Sequence, residues 1–125
     1  MEFDLNKPYC RYFSEICAIP HGSYHEQAVS DYVVAFAKEH GLEYVQDKMF
    51  NVIIRKSASK GYEEYDPLML QGHLDMVCEK NPDVEFDFQT QGIETYVDEE
   101  GKLRAKGTTL GADDGMGVAE MLAIL

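Results

Sequence analysis

Two short stretches carry side chains whose types and spacing suit chemistry. The first is "LMLQGHLDMV", Leu68 to Val77, an apolar run that places His73 and Asp75 two positions apart. Residues two apart lie on the same side of an extended chain, so imidazole and carboxylate can address one site, or Asp75 can orient the ring. In an apolar segment neither belongs unless each finds a partner. The second is "GTTLGADDGMG", Gly107 to Gly117, with the adjacent carboxylates Asp113 and Asp114 set among glycines. Neighbouring carboxylates repel unless a cation or hydrogen-bond donors lie between them. Taken singly, each stretch also has a plainer reading: a satisfied core histidine or a surface pair for the first, an N-terminal helix cap for the second. Together they supply an imidazole, a supporting carboxylate and a carboxylate able to bridge two cations. Zinc takes such nitrogen and oxygen donors and leaves a position for water in catalytic sites; cobalt and manganese also suit them. Two zincs sharing a carboxylate would polarise a carbonyl and acidify a water together.

These residues need elements to hold them. Pro8, tolerated early in a helix, and the apolar spacing beyond it predict a helix over Lys7–Cys17. "AIPHGSYHE" breaks it, and Ser23 or a neighbour can cap a second helix reaching His40, with Gly41 as its stop. Strands are expected at Leu42–Gln46 and Asn51–Lys56, and a central strand at "LMLQG". "IETYV" and "KLRA" flank Asp98 to Gly101 as a hairpin, and a last helix runs from about Met116 to Leu125. Helices alternating with strands predict an α/β three-layer sandwich, a mixed β-sheet flanked by helices. His73 and Asp75 then fall just past the C-terminal end of a central strand, the edge at which such sheets bind ligands. Met69, Met76, Met116 and Met121 are expected in the packing.

Composition bounds the function. The 125 residues suit one domain, and 45% apolar content is enough for a core. With 23 acidic and 11 basic residues the net charge is −12, which argues against nucleic acid or an anionic membrane as partner. Cys10, Cys17 and Cys78 are odd in number and lack C-x-x-C spacing, so free thiols in a reducing compartment are expected. No run reaches transmembrane length and the N-terminus lacks a signal peptide's pattern, which predicts a cytoplasmic protein. The chain stops at "GVAEMLAIL", inside a helix whose last five residues are apolar, which reads as the N-terminal part of a longer protein.

"CAIPHGSYHE", "GHLDMVCEKN" and "RAKGTTLGADDGMGVA" together resemble the aminoacyl-histidine dipeptidases, also called peptidase D or cytosol non-specific dipeptidases. These belong with carboxypeptidase G and the carnosinases among the co-catalytic zinc exopeptidases. The resemblance runs in order through essentially the whole chain and covers the first part of a much longer family chain. It implies that His73 is a terminal ligand of one zinc, that Asp113 bridges two zincs, and that Asp75 orients His73 as an active-site residue. It also implies a cis peptide bond between Asp113 and Asp114, with Asp114 free to cap the last helix. Residues 1–125 would be the N-terminal part of the catalytic domain, without the lid and dimerisation domain. The general-base Glu, its neighbouring Glu, a later carboxylate and a distant His would all lie downstream.

The implied activity is hydrolysis of dipeptides, including those ending in histidine, by a metal-activated water in a homodimeric parent protein. The 125-residue chain alone would be inactive, and its apolar surface could self-associate. Two other readings remain: a truncated metal-binding domain without catalysis, and a structural segment in which the acidic pair only caps a helix. His21 and His25 match a loop the family shares rather than its metal shell, so a structural or substrate-proximal role is expected. His40 reads as a helix-end histidine, and Cys78, without a His partner, as structural.

Overall fold

Local chemistry sets where each element starts and turns. In the computed structural model, which describes residues 2–125, Pro8 opens α1 (Pro8–Cys17), where its missing N–H costs nothing. Cys10, Phe13, Ile16 and Cys17 recur on one face of α1 and are buried. The second helix, α2 (Gln27–Glu39), buries Val29, Val33, Phe36 and Ala37. It begins later than Ser23, because Tyr24 adopts a positive φ of 68° and its N–H donates to the Glu26 carboxylate. Glu26 takes the N-cap position without a side-chain cap bond, so the expected cap at Ser23 or a neighbour is not formed. At the other end His40 follows α2, donates from Nδ1 to the Phe36 carbonyl at 2.9 Å and stacks on the Phe36 ring.

Two antiparallel ribbons follow, each closed by an aspartate that gathers the turn's amides. Strands β1 (Glu43–Gln46) and β2 (Val52–Arg55) pair with Glu43 opposite Arg55 and Gln46 opposite Val52. Between them Asp47 Oδ1 accepts from the Met49 and Asn51 N–H groups at 2.8 and 2.9 Å. Strands β3 (Thr95–Val97) and β4 (Leu103–Ala105) pair with Tyr96 opposite Arg104. Asp98 Oδ1 likewise holds the Glu100 and Lys102 amides, and Gly101 supplies a φ of 76°.

The last helix, α3 (Ala112–Ile124), has non-helical dihedrals at Asp113 and Asp114, so its regular part starts close to the expected Met116. It packs on α1, while α2 covers the β1–β2 ribbon. Gly115 faces the Phe13 ring so closely that a Cβ there would sit 3.1 Å from Cε2. Phe13, Ile16, Val29, Val118, Ala119 and Leu122 form the centre of the core. Ser30, buried among them, is satisfied: it donates to the Phe50 carbonyl and accepts from Gln46.

The α/β character holds, but the described strands form two separate two-stranded antiparallel sheets rather than one mixed sheet. "LMLQG" is not among the named strands: Leu68 and Met69 are 86% and 85% exposed. An apolar run becomes a central strand only with hydrogen-bonding partners on both edges, and neither ribbon pairs with residues 68–72. Met69 is therefore outside the core, whereas Met76 is buried and Met116 and Met121 pack against it. Cys10, Cys17 and Cys78 are free thiols, and burial pushes the Cys17 thiol up to about 12. No helix among the described residues is long and apolar enough to cross a membrane.

Candidate functional site

The extended segment through residue 75 and the turn that opens α3 converge. His73 Nε2 lies 3.1 Å from Asp113 Oδ1, across a separation of 40 residues. On the ring's other side, Nδ1 is 3.0 Å from the Asp75 carbonyl and 3.2 Å from Asp75 Oδ1. Both of these atoms are acceptors, and so is Asp113 Oδ1 on the far side, so the ring can carry hydrogen on either nitrogen or on both; an ion at Nε2 would leave the hydrogen on Nδ1. Asp75 Oδ2 in turn accepts a 2.6 Å hydrogen bond from Ser23 Oγ. The peptide bond between Asp113 and Asp114 is cis, and Gly111 precedes it with a φ of 81°.

Charge follows this geometry. Partial burial disfavours the charged His73 ring, but the bond to Asp113, the Asp75 carbonyl and the two carboxylate charges outweigh it, so its pKa is raised. The Ser23 hydroxyl is the largest cause holding the Asp75 carboxyl below its ordinary range; burial opposes it and the His73 charge assists. The Asp113 side chain is 98% exposed and that of His73 52%. Ion pairs so exposed contribute only about 0–1 kcal/mol, so the fold gains little from holding these two groups together. A reason for the pairing other than stability is called for.

A metal is one such reason. Two donors on one tetrahedral zinc, each about 2 Å from it, stand roughly 3.3 Å apart. The 3.1 Å between His73 Nε2 and Asp113 Oδ1 fits that edge, and the acceptors behind Nδ1 leave Nε2 as the coordinating nitrogen. The donor set is partial: among the described residues no group of three or more His, Cys, Asp or Glu side chains is arranged to hold a metal.

Similarity to known proteins bears on the same residues. No protein-family model matches the chain. Over 113 residues it is 49% identical to the cytosol non-specific dipeptidase of Escherichia coli (strain K12), covering 90% of this chain and 23% of that protein. Its structure matches the crystal structure of aminoacylhistidine dipeptidase from Vibrio alginolyticus with a TM-score of 0.88 and 45% identity, covering 94% of this chain and 24% of that one. The chain is homologous to part of these dipeptidases. It spans about a quarter of the length of either relative.

Within this dipeptidase-like segment, three other residues need comment. Asp114 sits at the kink from which the regular part of α3 runs. Its carboxylate lies over Gly72 and Gly117, where an added Cβ at either position would collide with it. His21 is 2% exposed and donates from Nδ1 to the Ile19 carbonyl, while its Nε2 is buried without a hydrogen-bond partner. Burial holds its pKa low against the Ile19 bond and the Asp75 charge, so the ring is neutral and serves as packing. His25 lines a cleft of about 200 Å³ with Ser23, Met76, Phe88 and Gln89. Ser23 itself is the residue that sequence reasoning missed. Its only signal was membership of the "PHGSYHE" loop, and a lone serine there reads first as a helix cap.

Proposed function

We propose that these residues are part of the active site of a metal-dependent dipeptidase. The reading is carried by the 3.1 Å meeting of His73 Nε2 and Asp113 Oδ1 in a fold that is 45% identical to a named aminoacylhistidine dipeptidase. His73 and Asp113 are the metal ligands, Asp113 shared between two zincs, and Asp75 fixes the His73 ring through Nδ1. Zinc, when bound, supplies a Lewis acid for the peptide carbonyl and makes water acidic enough to serve as nucleophile. Asp113 is almost fully exposed, so its second carboxylate oxygen would be open to a second ion. Asp75 keeps the hydrogen on Nδ1, so that Nε2 presents its lone pair.

The general-base Glu and the remaining ligands lie outside residues 1–125, in a longer polypeptide. There residues 68–72 complete a central strand of a three-layer sandwich, and a lid and dimerisation domain follow. The substrates are dipeptides, including those ending in histidine. The protein works in the cytosol, the compartment named for the E. coli relative.

The test is zinc content after dialysis, together with dipeptide hydrolysis, for this chain and for one extended through the downstream ligands. Near-stoichiometric zinc and turnover in the extended form alone support the reading. Zinc in neither form overturns it, and turnover by residues 1–125 alone overturns the division of the site. With no group of three or more His, Cys, Asp or Glu side chains arranged around one ion among the described residues, a non-catalytic reading stands beside it. That reading predicts weak metal binding in both forms with no hydrolysis in either.

A further inference from the structure

The His73–Asp75 pair does not stand alone, because a second segment is locked to it. Residues 21–23 run parallel to residue 76: the Met76 N–H donates to the His21 carbonyl at 3.0 Å, and the Ser23 N–H donates to the Met76 carbonyl at 3.2 Å. Gly22 permits this approach, since a Cβ there would come within 2.6 Å of Cys78 Sγ. The clamp sets Ser23 beside Asp75, and Ser23 Oγ donates to Asp75 Oδ2 at 2.6 Å. The other oxygen, Oδ1, is left facing His73 Nδ1 at 3.2 Å. A carboxylate two residues from the ring it supports can rotate about its own χ2 and leave Nδ1 with the Asp75 carbonyl alone. A donor fixed on a neighbouring segment removes this freedom.

We infer that Ser23 is a positioning residue, which holds the Asp75 carboxylate in the orientation that keeps the hydrogen on His73 Nδ1 and leaves Nε2 for a divalent ion. The inference rests on the metal reading of His73 and Asp113 for its consequence, but not for its geometry. The "PHGSYHE" loop thereby becomes part of the site without supplying a ligand, and its two histidines need no metal role. Outer partners of this kind change metal affinity by roughly 10–100-fold.

The test compares the wild type with Ser23→Ala and Ser23→Thr, which removes and retains the hydroxyl. Cobalt(II) affinity is read from its visible absorption, and the His73 tautomer from nitrogen-15 shifts without metal, at a pH high enough for the ring to be neutral. Thermal unfolding is followed in parallel. The expected result for Ser23→Ala is at least about tenfold weaker cobalt binding and a more mixed tautomer. Ser23→Thr restores both, and all three proteins melt alike. A serine that only braces the loop would lower the melting temperature and leave the tautomer unchanged, which overturns the inference. Unchanged cobalt affinity in Ser23→Ala overturns it too. If neither this chain nor one extended through the downstream ligands binds cobalt, the metal reading fails by itself; a tautomer shift in Ser23→Ala still supports the positioning role, and no shift ends it.

Discussion

His73 and Asp113 meet at 3.1 Å although neither is buried, and Asp75 backs the same imidazole from its other side. An exposed pair of this kind adds about 0–1 kcal/mol to stability. His73→Ala and Asp113→Asn are therefore expected to shift the unfolding free energy by no more than about 1 kcal/mol. Their effect on zinc affinity should exceed the roughly 10–100-fold loss seen when only an outer partner is removed. Competition with a chromophoric chelator measures this, and an affinity unchanged in both variants would take the pair out of any metal site.

The α1–α3 interface is expected to be the most sensitive part of the fold. Phe13 is 1% exposed and its ring fills the space left by Gly115. Phe13→Ala should lose about 3–5 kcal/mol, from lost burial and the cavity together. Urea unfolding followed by circular dichroism reads the loss. A value below about 1 kcal/mol would mean that the two helices do not share a core.

Asp114 and Gly117 should be coupled. A Cβ at Gly117 meets the Asp114 carboxylate, so Gly117→Ala forces that side chain to move, at about 1–3 kcal/mol. The gain in helix propensity offsets about 1 kcal/mol of this. In an Asp114→Ala background the collision is gone, and the same change should be neutral or stabilising. A double-mutant cycle measures the coupling, and additivity within about 0.5 kcal/mol would contradict the observed contact.

His21 should make stability depend on pH. Its folded pKa lies below the ordinary 6.5, chiefly through burial, so the unfolded chain binds the proton more readily. The contribution is full above pH 6.5 and is lost as the pH falls through the folded value, at no more than about 1.4 kcal/mol per pH unit. His73, whose pKa is raised, acts in the opposite sense: its contribution is full below 6.5 and is lost as the pH rises through its folded value. The comparison is therefore between wild type and His21→Gln, by urea unfolding at pH 7.5 and 5.5 (about one unit either side of the free value). The wild type should lose more stability than the variant on acidification. Equal losses would mean that His21 titrates as a free imidazole.

Much of this was legible locally. Pro8, the apolar spacings of α1 and α2, the aspartate-led turns after β1 and β3, and the start of regular helix near Met116 depend on neighbours a few residues away, and the sequence displays those neighbours. The three motifs were legible through resemblance, and the identities of 49% and 45% bear that resemblance out. That residues 68–72 are paired by neither ribbon was not legible, because apolarity signals burial without saying what covers it. That the Asp114 carboxylate lies over Gly72 as well as Gly117 was not legible, because those two glycines are 45 residues apart.

Residue types alone therefore pointed to which groups could do chemistry: one imidazole, the carboxylate two residues after it, and a second carboxylate in a glycine-rich turn. Only the tertiary structure decided that His73 meets Asp113, that Ser23 rather than a histidine of its loop reaches Asp75, and that His21 stays dry and neutral. Each of these depends on segments far apart in sequence coming together. Such contacts are set by how helices and ribbons pack, through distances of 2.6 and 3.1 Å that no local pattern encodes.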